Sequence, residues 1–295
     1  MSASWLIVGA SFLFATMGVC VKLASAHYSS GEIVMYRGLV GALLIGVISR
    51  WRGESLRTML PAQHFLRSLS GVIALCLWFY AIGKLPLATA MTLNYTSSLW
   101  LALFLLGGAL VFRTQPVDTR LVFATVVGFA GVVFVLRPTI EQNQLWHGLI
   151  GLLSGMVSAA GYLQVMALSR AGEPEGRIVF YFSVGGVLGG AALTALTGWH
   201  AHSWRGVGLL LAVGVLAAVA QLMLTRAYAR GRTLVNASLQ YLGIAFSFLY
   251  GVLLFGDSVT FITVCGMLMI VGAGVWATQL RTPSAAQQGR APDKP

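Results

Sequence analysis

Apolar runs of about 17–25 residues recur along the whole chain, and an α-helix of this length crosses a hydrocarbon core roughly 30 Å thick. Hydrophobic residues make up 57% of the sequence and charged residues 9%, whereas about 25% of an ordinary globular domain is charged. We therefore predict an all-α polytopic membrane protein. Its ten expected spans are Trp5–Ala24, Ile33–Ile48, Leu66–Ile82, Leu87–Phe112, Leu121–Leu136, His147–Leu168, Ile178–Leu196, Val207–Thr225, Leu234–Phe255 and Val259–Leu280.

A diverged internal repeat divides these spans into two sets of five, and such repeats decide the fold. A shift of 146 positions places Tyr241 on Tyr95 and Gln240 on Asn94, so an amide followed by a tyrosine occurs once in each half. Because each half has an odd number of spans, the second half enters the membrane from the opposite side. The sequence therefore predicts two inverted five-helix repeats, with a site near the midplane between them.

Three regions follow from this plan. Residues 1–137 form the first five-helix repeat, residues 147–280 form the second, inverted repeat, and residues 281–295 form a polar tail that is expected to be disordered. If the N-terminus is cytoplasmic, most of the 19 Lys and Arg residues, Arg67 among them, fall on the cytoplasmic side. Positive charge favours that side, so we predict cytoplasmic N- and C-termini, with Lys22 and Arg37 nearer the outer boundary.

Polar and aromatic side chains inside the spans mark a candidate binding site, because polar groups are costly at membrane depth. The polar and aromatic side chains of the fourth span lie on one helix face, and so do those of the ninth span. These two faces should meet across the axis that relates the two repeats. The candidates are Trp78, Tyr80, Met91, Asn94, Tyr95, Ser98, Tyr162, Gln164, Gln221, Gln240, Tyr241 and Phe248. The amides could instead bond neighbouring helices, and Trp78 could be an interfacial anchor.

The ten-span plan and its two repeats resemble the drug/metabolite transporter superfamily of the EamA type. So does the junction in which alanine precedes a basic residue by three positions, at Ala81–Lys84 and Ala227–Arg230. Arg37 also sits where that family often has an arginine. The Asn94–Tyr95 stretch and its partner around Tyr241 look most like the YddG-type aromatic amino-acid exporters.

The resemblance implies export of small amphiphilic metabolites, with aromatic and other large neutral amino acids first. Export would proceed by alternating access, from a monomer in a bacterial inner membrane. All 8 acidic residues lie in loops, tails or span ends, whereas proton-driven carriers commonly use a buried carboxylate. The sequence therefore favours an uncoupled facilitator. The alternatives are another metabolite or a drug-like cation as substrate, with proton coupling.

Enzyme, metal and nucleic-acid functions find no support in the sequence. It has no phosphate-cradling loop, no H-E-x-x-H and no Cys/His cluster with metal spacing, so no cofactor or metal is expected. The basic residues form no patch or tail of the kind that binds nucleic acid. The short loops also count against a membrane-embedded enzyme or a receptor. The expected partners are therefore the lipid bilayer and a small-molecule substrate.

Overall fold

The computed structural model of the chain describes residues 3–97, 99–101, 103–104, 107, 119–141, 143–230, 241–258 and 260–280. The helices are α1 (Ala3–Ala24), α2 (Ser30–Trp51), α3 (Pro61–Lys84), α4 (Leu87–Tyr95), α5 (Thr119–Glu141), α6 (Leu145–Arg170), α7 (Glu175–Thr197), α8 (Trp204–Arg230), α9 (Leu242–Phe255) and α10 (Phe261–Leu280). After a turn at Thr96, residues 97, 99–101, 103–104 and 107 are again helical.

Six of the described helices, α1 to α3 and α6 to α8, are long and apolar enough to cross a membrane. Shorter apolar helices lie at Val122–Leu136, Leu242–Phe255 and Phe261–Trp276. These observations confirm the predicted all-α polytopic membrane fold. The predicted tail, residues 281–295, lies outside the described residues, and the boundaries of the two repeats stay a prediction.

Local sequence determines where several helices begin and end. Ser29 caps α2, because its hydroxyl accepts a hydrogen bond from the Glu32 N–H while the Glu32 carboxylate accepts one from the Ser29 N–H, the reciprocal arrangement of a capping box. Pro61 opens α3 and Pro86 directly precedes α4, positions at which proline costs no helical hydrogen bond. Helix α9 ends at Gly256, whose φ of 61° is left-handed and suits glycine.

The most extensive helix contacts in the described chain are unchanged when α1–α5 are exchanged with α6–α10. Helix α2 packs on α7, α5 on α10 and α4 on α9, and each of these pairs maps onto itself. The contact of α1 with α8 maps onto that of α6 with α3, and the contact of α2 with α8 maps onto that of α7 with α3. The two halves are therefore interleaved, and the centre of the bundle is built from both.

Glycines allow two of the three self-paired contacts, α2 with α7 and α5 with α10, to come close. A Cβ at Gly190 of α7 would lie 2.5 Å from the Met35 backbone nitrogen of α2. A Cβ at Gly131 of α5 would lie 2.8 Å from the Gly266 carbonyl oxygen of α10, and one at Gly266 would lie 2.7 Å from the Gly131 carbonyl oxygen. Small residues promote such contacts in a bilayer, where lipid offers no hydrophobic driving force between helices.

Candidate functional site

A cavity of about 90 Å³ lies between helices of both halves. It is lined by α1, α2, α3 and α4 of the first half and by α6, α7 and α8 of the second. Its walls are Phe14, Arg37, Arg67, Gly71, Ala74, Leu75, Trp78, Asn94, Tyr95, Ser158, Gly161, Tyr162, Phe182, Gln221 and Leu224. Ligand sites usually enclose about 300–1,000 Å³, so a metabolite can enter only if the helices separate.

Five of the candidates from the sequence line this cavity: Trp78, Asn94, Tyr95, Tyr162 and Gln221. Asn94 donates hydrogen bonds from Nδ2 to the hydroxyls of Ser154, at 3.1 Å, and Ser158, at 3.3 Å, on α6. The amide therefore faces the cavity and also joins the two halves. Trp78 is buried, and within the described part of the chain its indole nitrogen has no hydrogen-bond partner.

The two tyrosines of the repeat meet where α4 contacts α9. The ring centroids of Tyr95 and Tyr241 are 6.2 Å apart with an interplanar angle of 49°, within the usual range for aromatic pairs. A side chain at Gly243 would overlap the Tyr95 hydroxyl, and one at Gly274 would overlap the Tyr241 hydroxyl. Tyr95 lines the cavity, whereas Tyr241 packs against the Tyr95 ring from the α9 side.

The remaining candidates that the structure describes lie away from the cavity lining. The Tyr80 hydroxyl is 3.1 Å from His147 Nδ1, and the Gln164 amide oxygen accepts a hydrogen bond of 3.0 Å from the Ser70 hydroxyl. Both contacts join α3 to α6. Met91 is fully buried in the core, and Phe248 packs against the core from a partly buried position. Ser98 and Gln240 lie outside the described residues.

Two arginines that the sequence analysis assigned elsewhere line the cavity. Arg37 was placed near the outer boundary and Arg67 on the cytoplasmic side, yet their exposed fractions are 6% and 7%. Their guanidinium carbons lie 5.3 Å and 4.2 Å from the centroid of the Phe182 ring, within cation–π distance. An ionisable residue inside an apolar run is a functional candidate by default, and that signal could have identified Arg37, which lies inside the second expected span, but not Arg67 at the start of the third.

Glycines make room for Arg67. A Cβ at Gly71, one turn further along α3, would overlap the Arg67 guanidinium, and a Cβ at Gly161 of α6 would lie 3.4 Å from its Nη1. The guanidinium therefore occupies space that larger residues would fill. In the part of the chain that the structure describes, neither Arg37 nor Arg67 forms an ion pair, and no Asp or Glu lines the cavity.

Polar contacts join the helices at the end of the bundle where α1 ends. Lys22 Nζ lies 3.2 Å from both carboxylate oxygens of Asp257, and Asp257 also accepts a hydrogen bond of 2.9 Å from the Leu87 N–H. We call Lys22, Leu87 and Asp257 the Asp257 cluster. Beside it, the Glu32 carboxylate accepts a hydrogen bond of 2.9 Å from the His200 N–H. These contacts tie α1, α2 and α4 to the loops of the second half.

A second group, the Glu173 cluster, consists of Thr58, His64, Glu173 and Arg177 at the opposite end. The Glu173 carboxylate accepts hydrogen bonds from Thr58, at 2.7 Å, and Arg177, at 3.0 Å, and lies 3.4 Å from His64 Nε2. Burial alone would raise the pKa of Glu173, but the hydrogen bonds outweigh it and hold the pKa below its ordinary value. The cavity therefore lies between two groups of polar contacts.

Comparison with known proteins gives the chain's relatives. The model of the EamA-like transporter family matches residues 1–137. The pseudopaline exporter CntI of Pseudomonas aeruginosa (strain UCBPP-PA14) is 31% identical over 268 residues, which cover 91% of this chain and 93% of that protein. A riboflavin transporter of Rhizobium johnstonii is 25% identical over 278 residues, which cover 93% of this chain and 89% of that protein.

Solved structures give the same architecture. One crystal structure of a protein matches 98% of this chain and 99% of its own chain, with a TM-score of 0.63 and 19% sequence identity. At that identity the match shows a shared fold and carries no information about substrate. The relatives described here differ in the compounds that their names give, so the substrate has to be argued from the cavity itself.

Proposed function

We infer, since this chain belongs to the EamA-like transporter family of the drug/metabolite transporter superfamily, that its central cavity carries a small amphiphilic metabolite out of the cell. The chain is a multi-pass membrane transporter with a small-molecule substrate and is not an enzyme. Aromatic and other large neutral amino acids are the first substrates that we propose. One observation carries this proposal: both halves supply the walls of one cavity.

The chemistry of the walls supports an amphiphilic carboxylate. Trp78 and Phe182 offer aromatic faces, which bury apolar rings well. Arg37 and Arg67 offer guanidinium groups, which bind carboxylates through two parallel hydrogen bonds. The same charges disfavour the drug-like cation that the sequence left as an alternative, because a cation site needs an acidic group or an uncharged aromatic cage.

We propose that the protein lies in a bacterial inner membrane as a monomer, with both termini in the cytoplasm. The Glu173 cluster then lies on the cytoplasmic side and the Asp257 cluster on the outer side. Release of one cluster while the other holds opens the cavity to one side at a time, which is alternating access. Because the two halves are interleaved, we propose that helices of both repeats, residues 1–137 and 147–280, rock together around the cavity.

Transport is proposed to be uncoupled, because no carboxylate lines the cavity among the described residues to relay a proton. The test uses purified protein in proteoliposomes loaded with radiolabelled phenylalanine or tryptophan. We expect faster efflux than from protein-free vesicles, competition by unlabelled substrate, and equal rates with and without a pH gradient. Efflux no faster than from protein-free vesicles contradicts export of amino acids, and strict dependence on the pH gradient contradicts the uncoupled mechanism.

A further inference from the structure

Arg37 and Arg67 are two buried cations without a counter-charge in the described chain. Both are more than nine-tenths buried, both line the cavity, and neither Nε atom has a hydrogen-bond partner among the described residues. An arginine side chain stays protonated in proteins, so burial cannot neutralise these groups. A buried charge is costly unless it is paired and hydrogen-bonded. The cavity in this state therefore favours an anionic occupant.

The two cations belong to one site. Both guanidinium groups lie against the same ring, that of Phe182, so their separation cannot exceed the two ring distances taken together. A smaller void of about 10 Å³ is also lined by Arg37, Phe182 and Gln221, so Arg37 borders two voids. At this separation two like charges repel each other. One carboxylate neutralises only one of these two positive charges.

We propose that the substrate carries two negative charges and an apolar ring, with one guanidinium for each charge and the ring against Trp78 and Leu75. This proposal rests on the proposed export function and narrows its substrate class. A neutral amino acid offers one carboxylate, and its ammonium group adds a third positive charge to a site that already holds two. A substrate with a second acidic group in place of the ammonium supplies the missing negative charge and adds no positive charge.

The charge of the substrate also supplies a driving force. A cell interior at negative potential expels anions, and each elementary charge changes the equilibrium concentration ratio roughly 50-fold per 100 mV. An uncoupled carrier of a dianion therefore exports against a concentration gradient without a proton or sodium ion. This agrees with a cavity whose described walls contain no carboxylate.

The test compares ligands that share a phenyl ring and differ in charge. Phenylalanine is a zwitterion, 3-phenylpropionate carries one negative charge and benzylmalonate carries two. Phenyl phosphate, also doubly charged near neutral pH, distinguishes one phosphate from two carboxylates. Calorimetric titration of the purified protein should show benzylmalonate or phenyl phosphate binding about 10- to 150-fold more tightly than 3-phenylpropionate, the factor of one additional charged hydrogen-bonded pair. The tighter of the two identifies the acidic group.

Two variants and one control assign the effect to residues. Arg37→Gln and Arg67→Gln should each weaken binding of the dianion about tenfold or more and remove most of the preference for benzylmalonate over 3-phenylpropionate. Arg50→Gln, an exposed arginine on α2, should change neither. If either cavity variant fails to fold, the ranking of the ligands on the unaltered protein still decides, and a purely structural role for the arginines does not produce that ranking.

Efflux from the same proteoliposomes tests the dianion proposal separately from the proposed export function. We expect efflux of the dianion to accelerate when valinomycin and a potassium gradient make the interior negative, with no such change for phenylalanine. Export of phenylalanine together with equal binding of all four ligands overturns the dianion proposal and leaves the proposed function standing. Failure of every ligand to leave the vesicles overturns the proposed function itself.

Discussion

Helices α2 and α7 both line the cavity, and Gly190→Ala tests how closely these two helices pack. The added methyl group would lie 2.5 Å from the Met35 nitrogen, 2.7 Å from the Gly31 oxygen and 2.8 Å from the Met35 Cα. All three are rigid backbone atoms, so the helices must separate. Overpacking of this kind costs about 1–3 kcal/mol, and for a domain of this order of size each kcal/mol lowers the melting temperature about 2–4 °C.

The matched control is Gly208→Ala on α8, where no atom of the residues that the structure describes lies within 4 Å of the added atom. Both changes replace a helical glycine, so the gain in helix propensity, about 1 kcal/mol, cancels in the comparison. We expect the detergent-solubilised Gly190→Ala protein to melt roughly 2–12 °C below the control. It should also transport less well, because α2 carries Arg37 and α7 carries Phe182. Equal melting temperatures would refute close packing as the reason for glycine here.

Three further predictions concern the two clusters and the cavity wall. Asp257→Asn should cost about 1–3 kcal/mol by leaving Lys22 unpaired, and adding Lys22→Met should recover part of the loss; additive losses in a thermal double-mutant cycle contradict the coupling. The lowered pKa of Glu173 means that its stabilising effect is complete above the ordinary value of about 4.3 and is lost as pH falls through the lower folded-state value. Thermal stability should therefore fall in that acid range for the unaltered protein and change less in Glu173→Gln, and equal acid slopes count against this. Trp78→Phe should remove most of the fluorescence change on substrate binding, and an undiminished change places Trp78 outside the site.

The global plan of this protein was readable because it depends on patterns that survive divergence. Long apolar runs require helices that span a membrane, and the confirmed fold follows from them. A constant shift of 146 positions pairs Tyr95 with Tyr241, and the structure brings these two rings into contact. Sequence symmetry thus located the meeting of α4 and α9, since residues equivalent by a two-fold exchange lie close together only near the axis.

The depth of a charged residue was not readable in the same way. Arg67 lies next to the start of an apolar run, and a count of loop charges assigns it to the membrane surface. Its true position depends on Phe182 of α7, which provides an aromatic surface, and on Gly71 and Gly161, which provide space. Those contacts are made between distant parts of the chain. Tyr80 is the opposite case. The sequence predicts that it lines the binding site, whereas in the structure its hydroxyl forms a hydrogen bond with His147.

Because the main helix contacts join the two halves, they determine how a half produced on its own would behave. Helix α1 packs on α8, and helix α3 packs on α6. Neither half alone therefore contains the partner helices on which its own helices pack. A five-helix fragment produced alone can recover those contacts only by joining a copy inserted upside down. A split version of this chain should accordingly behave as a dual-topology dimer, with both orientations needed in one bilayer.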